Sequence, residues 1–142
     1  LPDIPADRVA RLFDITLMGV VHGVQSAVPR LRGRGGGLLF VSSMGGVSPV
    51  PTLADYCTAK AGLVALTDCL AVELAPDEID VSVVLPGLVA TRLRESTAAL
   101  LGEEDGPSPG AGVAPGAITP DEVGRIVLAG FDWLDGFLGG AG

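Results

Sequence analysis

Apolar residues between Asp7 and Arg32 recur at intervals of three and four: Val9, Leu12, Phe13, Leu17, Val20, Val21, Val24 and Val28, with Thr16 in the same register and Pro29 late in the run. That stripe predicts one long amphipathic helix. GRGGG at 33–37 reads as a turn, and LLFVSS at 38–43 is the short continuous apolar run of a strand buried on both faces, ending near Ser43. After a Gly/Pro/Ser-rich stretch at 45–52, a second helical pattern from about Leu53 to Leu74 carries Leu63, Leu66, Leu70 and Leu74. IDVSVVLPG at 79–87 is a β-branched run stopped by Pro86-Gly87, which predicts another buried strand and a turn. Helix, strand, helix, strand is the rhythm of an α/β fold with a parallel sheet and crossover helices.

Beyond Thr91 the pattern changes. GEEDGPSPGAGVAPGAI at 102–118 is so rich in Gly, Pro and acid that regular structure is not expected, and the whole of 92–118 reads as a flexible lid. A last helix then opens with Thr119 as N-cap, Pro120 at the first helical position, and Asp121 and Glu122 in the first turn. Trp133 and Phe137, four apart on that helix, read as core or subunit contacts.

Composition narrows the function classes. The 142 residues are 48% hydrophobic with a mean hydropathy of +0.51, enough for one domain with a sizeable core. A net charge of −8 argues against a nucleic-acid partner, because phosphate binding requires clustered Lys and Arg. Apolar runs are broken well short of membrane-spanning length, so the expectation is a cytoplasmic protein without a membrane span. Cys57 and Cys69, twelve apart in one predicted helix, imply no disulfide and read as buried small hydrophobes. His22 is the sole histidine, reads as a packed or interface side chain, and has no cluster of acids or thiols to complete a metal site. No metal is expected.

The candidate chemistry is concentrated in DYCTAKAGLVAL, residues 55–66, which holds the chain's single tyrosine and single lysine as Tyr56 and Lys60. Four apart on a helix, they share a face. A phenol is a poor base at neutral pH, and an adjacent ammonium favours its ionised form. Ser43, thirteen residues earlier and at the C-terminal end of the first strand, lies where open α/β sheets place their ligands. Its hydroxyl can hold a substrate oxygen while Tyr56 exchanges a proton with that oxygen. Taken alone, a Tyr-x-x-x-Lys pair is more often a packed ring beside a solvated stem. Joined to a strand ending in Ser-Ser and a second strand running into LPGLVAT, the pattern is much rarer.

VSSMGG, YCTAK, AGLVALTDCLAVELA and VSVVLPGLVATRL resemble, in order and spacing, the serine segment, Tyr-x-x-x-Lys helix and Pro-Gly-x-x-x-Thr turn of the short-chain dehydrogenase/reductases. The resemblance implies a Rossmann-like, doubly wound parallel sheet in three αβα layers, and hydride transfer between NAD or NADP and a small-molecule carbonyl/alcohol pair. It implies Tyr56 as general acid/base, Ser43 as the group orienting the reacting oxygen, and Lys60 on the nicotinamide ribose. Pro86, Gly87, Val89 and Thr91 would line the nicotinamide. It further implies a homodimer or homotetramer, built on the helices at 7–32 and 54–74.

Three positions depart from the family. Thr16 stands where the family carries an asparagine that helps hold a water in a proton relay, and the chain has no asparagine at all. A hydroxyl can hold one water but lacks the amide's extra donor and reach, which implies a slower enzyme or a shifted water. The nucleotide half of the family has no counterpart in these residues, since GRGGG precedes a strand where a phosphate loop must follow one. Glu78 stands where relatives often carry a glycine, which predicts a strained or differently shaped turn. The sequence therefore reads as the C-terminal part of such a domain, truncated at the N-terminal half. The alternative function is an inactive remnant acting as a binding or dimerisation module.

Overall fold

The computed structural model describes residues 2–89 and 116–139, with side chains through residue 130. Helix α1 spans Ala6–Phe13, runs through a π-helical turn at Asp14–Met18, and continues as α2 over Gly19–Leu31. All nine stripe positions of this helix, Thr16 included, are at least partly buried. The expected single helix is thus interrupted by one widened turn, which has no signature in the apolar spacing. Pro29 sits where α2 is about to end, so the backbone bond it cannot donate is lost only in the last turn.

Strand β1 is Gly36–Val41 and pairs in parallel with β2, Ile79–Val84, in the register Gly36↔Ile79 through Val41↔Val84. The strand therefore begins two residues earlier than its apolar pattern, because Gly36 and Gly37 join the ladder without side chains to announce it. Gly33, Gly35 and Gly36 hold φ of 71, 69 and 123°, a turn closed to other residues without strain. At its far end β1 stops at Val41 and not at Ser43. The ladder is prolonged by the Ser42 amide donating to the Val84 carbonyl (2.9 Å) and the Met44 amide donating to the Pro86 carbonyl (2.9 Å).

Helix α3, Ala54–Leu74, is the crossover between the strands, followed by a 3-10 turn at Ala75–Asp77. Val28, Leu70, Leu74 and Ile79 form the buried core, with Leu38, Phe40 and Val81 packed against them. Each fully buried aliphatic side chain of this kind contributes about 1.5–3 kcal/mol. Leu39, of opposite parity, faces Gly130 of helix α4, Pro120–Gly139. Alternate residues of β1 thus meet α2 and α3 on one face and α4 on the other, the three-layer α/β arrangement. Burial on both faces is only partial, and Val41 is 48% exposed.

Glu78 adopts φ 56°, ψ 37°, the left-handed conformation that its place in the chain predicts, at a cost of roughly 1 kcal/mol relative to glycine. Arg32 at the end of α2 reaches the Asp77 carboxylate at 2.8 Å and ties the two turns at this end of the sheet. Cys57 is buried as expected, but Cys69 is exposed, since it falls on the face of α3 turned away from the strands, and both are free thiols. His22 is exposed and not packed. No helix of the described residues is long and apolar enough to cross a membrane. Thr91, the span 92–115 and the side chains of Trp133 and Phe137 lie outside the described residues.

Candidate active site

Ser43 leaves β1 in an extended conformation (φ −161°, ψ 155°) and caps a 3-10 turn, Met44–Gly46. Its Oγ accepts from the Gly45 amide at 3.1 Å, which fixes the oxygen and leaves the hydroxyl hydrogen free to donate elsewhere. Tyr56 and Lys60 project from the first two turns of α3. The Tyr56 Cε1 and Ser43 Oγ lie 3.4 and 3.5 Å from the point where a Cβ on Gly45 would stand, so phenol ring and hydroxyl flank one glycine. The Lys60 Nζ is 5.9 Å from the centre of the Tyr56 ring, and donates to the Val41 carbonyl at 3.3 Å. Ser43, Tyr56 and Lys60 thus converge at the C-terminal end of β1.

Burial pushes the half-buried Lys60 ammonium below the usual lysine value of 10.5. Between that lowered value and 10.5 the unfolded chain binds more protons than the folded one, so stability rises with pH across this window. The expected outcome is a wild-type urea midpoint that climbs as pH rises towards 10.5, relative to Lys60→Met, which lacks the titrating group. A wild-type curve that falls relative to Lys60→Met would show the ammonium to be favoured by folding.

The second strand delivers its own loop to the same end of the sheet. The bond from the Met44 amide to Pro86 joins the serine segment to the Pro86-Gly87 turn. Pro86 and Gly87 wall an apolar cavity of about 230 Å³ with Val84, Leu85, Ile118, Val123 and Ile126. Ser43, Tyr56 and Lys60 do not line it. Gly87 is exposed, and a Cβ there would have no heavy atom within 4 Å, so a flat ring can approach its backbone. Val89 is half-buried and bridges in parallel to Ile118, whose amide donates to the Leu88 carbonyl at 2.9 Å. Thr119 and Glu122 then form a reciprocal capping box: the Thr119 amide donates to the Glu122 carboxylate (2.6 Å) and the Glu122 amide to the Thr119 hydroxyl (3.2 Å). These bonds hold the Glu122 carboxyl below its usual value.

Thr16 sits in the π-helical turn, which packs on α3 where Leu17 lies 3.3 Å from the Cβ that Gly62 lacks. Among the described residues its side chain shares no hydrogen bond with Ser43, Tyr56 or Lys60.

Several residues that shape the site have no individual signal in the sequence. A Cβ on Gly46 would stand 2.8 Å from the Lys60 carbonyl oxygen and 2.9 Å from its carbon, so only glycine lets this turn touch α3. Thr52 holds φ 74°, a strained conformation for a β-branched residue, in the loop that leads into α3. The Val50 amide donates to the Cys57 Sγ at 3.4 Å and pins that loop beside Tyr56. The Gly-Gly pair was visible as part of VSSMGG, but close approach of two backbones leaves no periodicity behind.

A family model described as short chain dehydrogenase matches residues 1–100. The chain belongs to this family. It is 36% identical over 97 residues to "Probable oxidoreductase EphD" of Mycobacterium tuberculosis, covering 67% of this chain and 16% of that one. It is 30% identical over 148 residues to a diacetyl reductase [(S)-acetoin forming] of Staphylococcus aureus, covering 92% of this chain and 57% of that one. Among solved structures, carveol dehydrogenase from Mycobacterium avium in complex with NAD superposes with a TM-score of 0.74 at 29% identity, over 90% of this chain and 51% of that one. The chain therefore spans 57% or less of the length of each of these relatives.

Proposed function

We propose that these residues form the catalytic side of an NAD(P)-dependent oxidoreductase that interconverts a secondary alcohol and a ketone, working within a whole dehydrogenase domain. The observation that carries the reading is the convergence of Ser43 Oγ, the Tyr56 ring and Lys60 Nζ at one strand end, beside the Pro86-Gly87 turn. The residues fit a nicotinamide nucleotide: Lys60 presents a half-buried ammonium that uses one hydrogen on Val41 and keeps two for ribose hydroxyls, and Gly87 offers open backbone for a flat ring. When bound, the nicotinamide supplies or accepts the hydride.

The chain's own residues then handle the proton. Ser43, its oxygen held by the Gly45 amide, donates to the reacting oxygen and orients it. Tyr56 takes the hydroxyl proton in oxidation and returns it in reduction. Lys60, its ammonium 5.9 Å from the centre of the Tyr56 ring, would hold the cofactor's ribose. Thr16 on its π-helical turn would hold the water through which protons leave, and Val89 and Thr91 would complete the nicotinamide wall. The reading as an inactive binding module draws no support from a site whose hydroxyl, phenol and ammonium remain in register.

The test is to offer the whole domain NAD or NADP with a panel of secondary alcohols, including acetoin and carveol, and follow reduced nicotinamide by absorbance. Turnover of at least one alcohol is expected. Failure to bind either nucleotide would overturn the proposal.

A further inference from the structure

Ser42 stands between two residues already described and shares in neither of their roles. It is 5% exposed, and its hydroxyl donates to the main-chain carbonyl of Lys60 at 2.9 Å. That carbonyl lies within α3, where the helix ladder uses one of its lone pairs, so the serine occupies the other. The preceding residue, Val41, accepts from the Lys60 ammonium at 3.3 Å. Two consecutive residues, Val41 at the end of β1 and Ser42 just after it, therefore hold the two ends of one lysine, and the next, Ser43, carries the candidate substrate-orienting hydroxyl. The Gly46 backbone closes on the same peptide, at Lys60 and Ala61.

We infer that Ser42 is a positioning residue for the reaction: it sets the height of Lys60 on α3 relative to Ser43 beyond the end of β1, so that ammonium, phenol and hydroxyl are aligned before the cofactor arrives. The inference rests on the oxidoreductase reading above and deepens it. Loss of the Ser42 hydroxyl removes one hydrogen bond while the helix ladder still satisfies the Lys60 carbonyl, so the fold survives. The link that couples strand to helix does not, and a displacement of about 1 Å at a reacting group can cost on the order of a hundredfold in rate.

The experiment is a double-mutant cycle on the whole domain, read by nicotinamide fluorescence titration with NADH and NADPH. Ser42→Ala should weaken the preferred nucleotide about tenfold, and Ser42→Thr, which keeps the hydroxyl, should restore affinity to within about twofold of wild type. On a Lys60→Ala background, Ser42→Ala should have no further effect, because the residue acts through the lysine. Wild-type affinity in Ser42→Ala, or a loss that adds in full to that of Lys60→Ala, would overturn the inference. If Ser42→Ala loses its far-UV circular dichroism, Ser42→Cys, of nearly equal size and a weak donor, is read in the same way. Unchanged affinity in Lys60→Ala would sink the assignment of Lys60 itself, and this inference with it.

Discussion

Replacing Tyr56 by Phe in the whole domain should lower turnover by roughly 10²–10⁴-fold, the range typical of removing a positioned general acid/base, and leave nucleotide affinity within about twofold. The change deletes one oxygen and keeps the ring that packs against Gly45. Lys60→Ala should differ in kind. It should lose most activity and weaken the nucleotide as well, since the ammonium is assigned to the cofactor's ribose. Ser43→Ala should lower turnover with little effect on nucleotide affinity, because its hydroxyl faces the reacting oxygen and not the ribose. Steady-state kinetics and a binding titration separate Lys60→Ala from the other two. Near-normal turnover in Tyr56→Phe would mean that the constellation is only a packed helix face.

The second large effect is expected at a residue that does no chemistry. Gly46→Ala places a methyl group 2.8 Å from the Lys60 carbonyl oxygen and 3.2 Å from the Ala61 nitrogen, both backbone atoms within a helix, and neither can move without shifting α3. Overpacking of this kind costs about 1–3 kcal/mol, and more where backbone must yield. The urea midpoint should fall accordingly. Because the displaced peptide belongs to Lys60, the folded fraction should also turn over more slowly than wild type. An unchanged midpoint would mean that the turn can move away from the helix at little cost.

What the sequence disclosed and what it hid divide along physical lines. Elements with a strong period were legible: the leucines of α3 and the β-branched run Ile79–Val84 fold as their spacing predicts, and the stripe from Val9 to Val28 is helical on either side of one widened turn. Thr119 as an N-cap was legible because a hydroxyl followed by proline and two acids is the local pattern of a helix start. The Tyr56–Lys60 pair was legible because it uses helix spacing, and Ser43 because it follows a strand. The π-helical turn at Asp14–Met18 was not, since one widened turn scarcely disturbs a stripe already broad enough to absorb it. Nor were the roles of Ser42 and Gly46, which depend on the distance between β1 and α3, a quantity that no local pattern records. Cys69 was misjudged because α3 is apolar on nearly every side, and Val72, 76% exposed, shows how little hydrophobicity alone decides its buried face.

The isolated parallel bridge between Val89 and Ile118 bears on how this fold can change. It clasps the two ends of the intervening segment side by side, at the base of β2 and the start of α4, where the Thr119–Glu122 box fixes the helix. The chain between two such fixed points can be lengthened at small entropic cost, since each doubling of a flexible loop costs only about 0.6 kcal/mol to close. A change of chain length between Val89 and Ile118 is therefore expected to leave the β1–β2 ladder and the contacts of Lys60 undisturbed.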